Sequence, residues 1–284
     1  MQKALIPVLL ASLAAAVGCG HAKLTESQEY YVGRDVAANA MFDSKGAYVG
    51  LYDKDANLEE YVAMVGLSVA LESDRPETFK GYHFGVVNSP DINAFAAPGG
   101  FVFVTTGALK QMENEDELAG VLSHEIGHVN LRHPEEHANK AADQAGVMDI
   151  LGTGSHLASL GLSIMGKSSQ ADNLATLTKG FGSVLDGFTK ELIVNGYGRE
   201  SELAADALGV KVLCRPGVRY NPHALKDFIA RLPKKERGAW STHPELDGRI
   251  QAIDDVIKTQ GAVAATDPVR TARFKAATAG LRGQ

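Results

Sequence analysis

His124 and His128 stand four residues apart around Glu125, in Val121-Leu-Ser-His-Glu-Ile-Gly-His-Val-Asn130. Apolar residues at Leu118, Val121, Leu122, Ile126 and Val129 recur at helical rather than alternating spacing, which predicts a helix. On a helix, side chains four apart lie one above the other, so both imidazoles point to one side. Two imidazoles so placed can share one zinc ion, with Glu125 positioned to take a proton from zinc-bound water. The set is incomplete, because zinc needs a third protein ligand. A third histidine from the pattern HExxHxxGxxH would require glycine at 131 and histidine at 134, where this chain has Leu131 and Pro134. That route fails, and His133 reads as a structural or surface residue.

A carboxylate is the next source of a ligand. Tyr197-Gly-Arg-Glu-Ser-Glu-Leu-Ala-Ala-Asp-Ala-Leu-Gly209 carries Glu202 and Asp206 four apart on an expected helix. Glu202 can complete a two-histidine, one-glutamate site, and Asp206 can hold a ligating histidine through its second ring nitrogen. The same spacing also describes a solvated acidic helix face, and spacing alone leaves both accounts open.

The elements that must position these groups are partly legible. Helices are expected from Thr25 onward and over residues 58–71. A strand is expected over 82–87, its lone His83 structural. Two short strands joined by Pro98-Gly99-Gly100 read as a hairpin, followed by a short helix over 106–112. Glu113-Asn-Glu-Asp-Glu117 supplies acidic residues at the start of the central helix, where its dipole favours them. A strand ending at proline sits most comfortably at a sheet edge. Beside a metal site such an edge can pair with an extended peptide; a plain structural hairpin is the competing account. The glycine-rich stretch 141–198 predicts irregular helices over the cleft. The expected fold is α+β and mainly helical, with a small antiparallel sheet whose edge strand borders the active-site cleft.

Bulk properties narrow the class. In 284 residues, hydrophobic content of 45% and charged content of 22% are ordinary for a globular chain. A net charge of −6 and the lack of a basic run argue against nucleic acid as a partner. Met1-Gln2-Lys3 followed by an apolar stretch to Val17 reads as a secretory signal, too short for a membrane span. Ala16-Val17-Gly18-Cys19 is similar to a lipobox, which predicts lipid on Cys19 of the exported chain; ordinary cleavage nearby is the alternative. Lipid on Cys19 leaves Cys214 without a disulfide partner, whereas a free Cys19 allows a Cys19–Cys214 bridge. Cys214 itself reads as a small buried apolar residue.

Four segments together carry a family resemblance: His124-Glu-Ile-Gly-His128, Arg199-Glu-x-Glu-x-x-Ala-Asp206, Asn93-Ala-Phe-Ala-x-Pro-Gly-Gly100 and Ser241-Thr-His-Pro-Glu-Leu-Asp-Gly-Arg-Ile250. They resemble the CAAX-prenyl-protease-like zinc metallopeptidases, which include bacterial HtpX- and BepA-type proteins. The resemblance implies one zinc ion per chain on His124, His128 and Glu202, with Glu125 as general base and Asp206 behind a ligating histidine. It implies substrate pairing along Asn93, Ala94, Phe95 and Ala96, and makes His243 a candidate fourth ligand in a latent state. Arg249 is implied to steady that loop or the developing oxyanion. The multi-span helices of the prenyl-protease branch are absent, so the likeness is to the soluble periplasmic branch. The expected division is a signal at 1–18, one zinc metallopeptidase domain over 19–260, and a C-terminal helix or tail over 261–284. The expected activity is hydrolysis of extended or unfolded polypeptides, among them misfolded envelope proteins, by a periplasmic enzyme anchored to the outer membrane through lipid. The competing expectation is an outer-membrane assembly or quality-control chaperone with a latent or structural zinc site.

Overall fold

A computed structural model describes residues 24–39, 50–144, 196–232, 246–262 and 267–282. The signal at 1–18, Cys19, most of the glycine-rich stretch (145–195) and His243 lie outside these residues. The chain runs α1 (Glu26–Asn39), α2 (Ala56–Ala70), β1 (His83–Val87), β2 (Ala94–Ala97), a 3-10 turn (Pro98–Gly100) and β3 (Phe101–Thr105). There follow α3 (Thr106–Gln111), α4 (Glu115–Asn130), α5 (His133–Gln144), α6 (Arg199–Leu213) and α7 (Ala224–Arg231). The last helices are α8 (Leu246–Gln260), α9 (Pro268–Ala277) and α10 (Ala279–Arg282). None of the described helices is long and apolar enough to cross a membrane.

The sheet has the order β1-β3-β2. β2 and β3 form the expected antiparallel hairpin, with Ala94 opposite Val104 and Ala96 opposite Val102. Gly99 and Gly100 make its turn at φ 74° and 93°, a left-handed backbone that favours glycine. β1 pairs with the far side of β3 in parallel, from His83 opposite Phe101 to Val87 opposite Thr105. The sheet is therefore mixed rather than antiparallel, and among the described strands β2 lies at an edge, as the proline at its end suggests. A strand's direction depends on the path between strands, which the period-2 pattern does not encode. His83 stacks on Phe101 with ring centroids 4.6 Å apart, a structural role as expected.

Helix α4 runs through the middle of the protein, buried from Glu115 to Val129. Its start is set locally: the Asn114 side chain accepts from the Glu117 amide at 3.0 Å. The acidic first turn is not solvated, because each carboxylate has partners. Glu115 takes Tyr61 Oη at 2.8 Å and the Arg273 guanidinium. Asp116 takes the Asn221 amide at 2.9 Å and Arg270 at 3.0 Å. Glu117 takes Arg231 at 2.6 Å. These bonds tie α7 and α9 to the start of α4, and the fully buried Phe274 packs α9 into the core.

Close helix crossings then depend on three glycines. A Cβ at Gly120 would lie 2.8 Å from the Leu225 amide of α7, and one at Gly127 would lie 2.8 Å from the Ala205 carbonyl of α6. A Cβ at Gly209 of α6 would lie 2.9 Å from the Ser123 backbone, beside His124. Backbone cannot give way as a side-chain tip can, so an added methyl must push α6 from α4. Gly209→Ala should gain about 1 kcal/mol of helix propensity yet destabilise the fold by a net ~1–3 kcal/mol through overpacking. Urea unfolding followed by circular dichroism tests this; a Gly209→Ala protein more stable than the parent would mean that the crossing is loose.

Candidate metal centre

α4 presents His124 and His128 toward α6, which presents Glu202. The two Nε2 atoms are 3.1 Å apart. Glu202 Oε2 lies 3.5 Å from His124 Nε2, and Oε1 lies 3.4 Å from His128 Nε2. All three side chains are fully buried. Zinc bonds of about 2.0–2.1 Å in a tetrahedron space the ligand atoms about 3.4 Å apart. The three donors therefore fit one face of a tetrahedral site. Glu125, the next residue of α4, is also fully buried, and its charge acts on both Tyr197 and Arg249.

Each histidine is held at its second ring nitrogen. His124 Nδ1 lies 2.8 Å from Asp206 Oδ1. His128 Nδ1 lies 2.8 Å from His133 Nδ1. Asp206 thus lies against the second ring nitrogen of His124. Both carboxylates are buried, so the solvated-face account fails. His133 is buried and packed on a ligand candidate, which the sequence reading did not anticipate. Its position follows from the chain reversal after α4, where Arg132 takes φ 59°. The Arg132 side chain is pinned by the buried Glu29 of α1.

Arg249, in the first turn of α8, is fully buried against the carboxylates of α6. Its Nε and Nη2 donate to Asp206 at 2.7 Å each, and Nη1 lies 3.0 Å from Glu202 Oε2. The 3.4 Å approach of Nη2 to His124 Nδ1 is electrostatic contact only, since Arg249 is always a donor and that Nδ1 already donates to Asp206. Burial pushes the Asp206 carboxyl up, but Arg249 and His124 outweigh it and hold the pKa at about 2. Burial and the Arg249 charge push His124 down, yet Asp206 and Glu202 raise it to about 9. A metal ion competes with that proton for Nε2, so metal capture releases a proton and weakens as pH falls. For Arg249, burial works against the charge and Asp206, Glu202 and Glu125 override it, raising its pKa further. Burial lowers the pKa of His133 and favours its neutral ring.

The hairpin reaches the site through Tyr197. Its ring stacks on His128, centroids 3.9 Å apart and planes 19° apart. Its hydroxyl donates to the Ala96 carbonyl at 3.4 Å. Thr105 N donates to Asn93 O at 3.0 Å, so odd-numbered residues of β2 face β3 and Ala94 and Ala96 turn their backbone groups outward. The Ala94 amide bonds the Asn93 side chain at 2.9 Å. Tyr197 thus touches the outer edge of the expected substrate strand and a ligand candidate at once. Burial, with Glu125, Glu135 and Glu202 nearby, holds its phenol protonated. Nothing in the spacing around Tyr197 marks it from sequence. Cys214 is half-buried at the end of α6 rather than fully buried.

The electrostatics set a pH signature. Because the folded pKa of Asp206 lies below its unfolded value, its contribution is present above about pH 4 and is lost as pH falls toward 2. In chelator, Asp206→Asn should be less stable than the parent by about 2–3 kcal/mol at pH 6–7, the gap narrowing below pH 4. Arg249→Met should lose about 3–5 kcal/mol at pH 7 by leaving two buried carboxylates without their cation. Denaturant melts across pH check both, and a gap that stays constant to pH 2 would contradict the first.

Residues 56–257 match the family model described as peptidase family M48. The chain is 30% identical over 192 residues to the beta-barrel assembly-enhancing protease of Escherichia coli (strain K12), covering 68% of this chain and 36% of that protein. It is 30% identical over 260 residues to the mitochondrial metalloendopeptidase OMA1 of Bos taurus, covering 88% of this chain and 45% of that protein. The corresponding protein of Schizosaccharomyces pombe is 31% identical over 176 residues, covering 60% of this chain and 45% of the relative. The matches thus span less than half the length of these relatives. The family expected from four short segments is the one found, and a metal-dependent peptidase site agrees with the convergence of His124, His128 and Glu202: the chain belongs to peptidase family M48.

Proposed function

We propose that this protein is a zinc-dependent endopeptidase acting on extended or unfolded segments of exported envelope proteins. The observation that carries the reading is the convergence of two imidazoles and one carboxylate on a common point, with Glu125 beside them on α4. When bound, zinc acts as a Lewis acid that acidifies water and polarises a peptide carbonyl. His124, His128 and Glu202 hold it. Glu125 accepts the proton of the attacking water and returns it to the leaving amine. Asp206 fixes the tautomer of His124, so that Nε2 faces the ion. Arg249, with its nitrogens on Asp206 and Glu202, steadies the ligand set, a positioning role beside the loop or oxyanion role that the resemblance implied. His243 is retained as a candidate fourth ligand of a latent state.

Substrate pairs along the outer edge of β2 at the backbone groups of Ala94 and Ala96, replacing the bond that the Ala94 amide makes to the Asn93 side chain. Such pairing is indifferent to most side chains and suits an extended backbone. Because the Tyr197 hydroxyl lies on the Ala96 carbonyl, an incoming strand must displace that contact. The names of the relatives, a beta-barrel assembly-enhancing protease and mitochondrial metalloendopeptidases, support a peptidase that acts in envelope or organelle compartments. We assign residues 1–18 to a signal, Cys19 to a lipid anchor on the outer membrane, and 19–260 to one peptidase domain. The expected C-terminal helix or tail is instead packed into the fold over 267–282, with Phe274 fully buried in the core and Arg270 and Arg273 paired with Asp116 and Glu115 of α4.

Purified wild type and Glu125→Gln should each bind one zinc per chain by metal analysis, and only wild type should cleave casein. The loss in the variant should be at least 100-fold, within the range for removing a general base. A chelator should abolish the wild-type cleavage and added zinc restore it. Zinc binding by both proteins with cleavage by neither would favour the chaperone with a latent site, and wild type without zinc would overturn the proposal.

A further inference from the structure

We propose that His133 is a positioning residue for the metal ligand candidate His128: its Nδ1 accepts the Nδ1–H of His128 and so fixes which nitrogen of that ring faces the ion. The inference rests on the reading of His124, His128 and Glu202 as ligands.

The geometry admits one tautomer pair. His128 Nε2 lies 3.1 Å from His124 Nε2 and 3.4 Å from Glu202 Oε1, so it is the nitrogen on the metal side. Ligation needs its lone pair, which places the ring proton on Nδ1. The atom 2.8 Å from that Nδ1 is His133 Nδ1. It must then be the acceptor, and the His133 proton sits on Nε2.

Stacking alone cannot do this work. Tyr197 lies face to face with His128, centroids 3.9 Å apart, and fixes the plane of the ring. Turning the imidazole by half a turn about its Cβ–Cγ bond keeps the same plane and outline but exchanges Nε2 with a carbon. An aromatic face is almost indifferent to that exchange, whereas the bond to His133 exists in only one of the two orientations. Tyr197 therefore sets the plane and His133 sets the direction. The two histidines are handled differently: an anionic carboxylate holds His124 and a neutral imidazole holds His128.

The local chain is built to keep His133 there. Leu131 ends α4 and Arg132 at φ 59° reverses the path, so His133 opens α5 facing back onto the last turn of α4. The His133 side chain is buried, and Arg132 is anchored to Glu29.

Two substitutions separate the hydrogen bond from the shape. Asparagine offers its Oδ1 near the place of the histidine Nδ1 and can accept the same proton; phenylalanine keeps an aromatic ring with no acceptor. Zinc affinity is measured by competition with a chromogenic chelator at pH 7.5, alongside thermal melts in a metal chelator. His133→Phe should bind zinc about 10–100-fold more weakly than wild type, while His133→Asn stays within about threefold of it. Equal affinity for His133→Phe and wild type overturns the proposal, as does His133→Asn binding as weakly as His133→Phe. Should either variant fail to fold, long-range proton–nitrogen spectra of histidine-labelled, zinc-loaded wild type decide the question. They should report His128 with its proton on Nδ1 and His133 with its proton on Nε2. A His133 proton on Nδ1 overturns the assignment. Wild type that binds no zinc overturns the ligand reading and this inference with it, whereas tight wild-type binding with insensitive variants removes only the role of His133.

Discussion

The site depends on one buried ion-pair cluster. Glu202 and Asp206 are carboxylates in the core, and a carboxylate taken from water without a partner is strongly destabilising. Arg249 meets both, with paired 2.7 Å bonds to Asp206 and a 3.0 Å contact to Glu202. A lysine could not replace it, because only the planar fork of guanidinium can face two carboxylates and keep defined directions to each. The cluster is also what links the helices: α4 gives the histidines, α6 the acids and α8 the arginine. Each element therefore reports on the others, and a displacement of α8 would be felt at the ligand atoms of α4.

A buried polar centre of this kind requires the helices to stand close, and that requirement falls on small residues. Gly127 sits inside the HExxH motif itself, against the Ala205 carbonyl, and Gly209 sits one turn past Asp206, against the Ser123 backbone. The histidine–glutamate spacing supplies the chemistry, and the glycines set the distance at which α6 can deliver Glu202. At the other end of α4, the acids Glu115, Asp116 and Glu117 are consumed in holding α7 and α9. The central helix is thus fixed at both ends, by charge at its start and by the Asn130–Arg75–Tyr82 contacts at its close.

What was legible in the sequence was what is local. The pairing of the two histidines was readable because helical geometry alone aligns residues four apart. The β2–β3 hairpin was readable because Pro98-Gly99-Gly100 demands a turn. Glu202 and Asp206 were ambiguous by spacing, since a solvated acidic face has the same pattern; the companion segments, not the periodicity, favoured the ligand account. Other features were hard to read because distant partners settle them. Arg249 was legible only as a residue that steadies the His243 loop or the developing oxyanion, and the packing of α8 on α6 is what brings its donors onto Asp206 and Glu202. His133 was set aside when the three-histidine pattern failed, because the left-handed turn at Arg132 that folds it onto His128 leaves no mark in composition. β1 was expected in an antiparallel sheet, and its parallel pairing is decided by the path of the chain around β2.

The charge count gives the site its remaining logic. With His124 neutral, as ligation requires, Glu125, Glu202 and Asp206 contribute three formal negative charges and Arg249 one positive charge, which leaves two negative charges at the site. A divalent cation brings the count to neutrality, so the protein frame suits the charge of the ion as well as its ligand geometry. The partners of the two histidines follow from the same count. One carboxylate behind His124 is balanced by Arg249, within hydrogen-bond reach. A second carboxylate behind His128 would add a negative charge beside a ring that packs against Tyr197, His133 and His124. A neutral acceptor satisfies the ring proton of His128 without adding charge, which is why an imidazole at 133 suits this position better than the acid found behind His124.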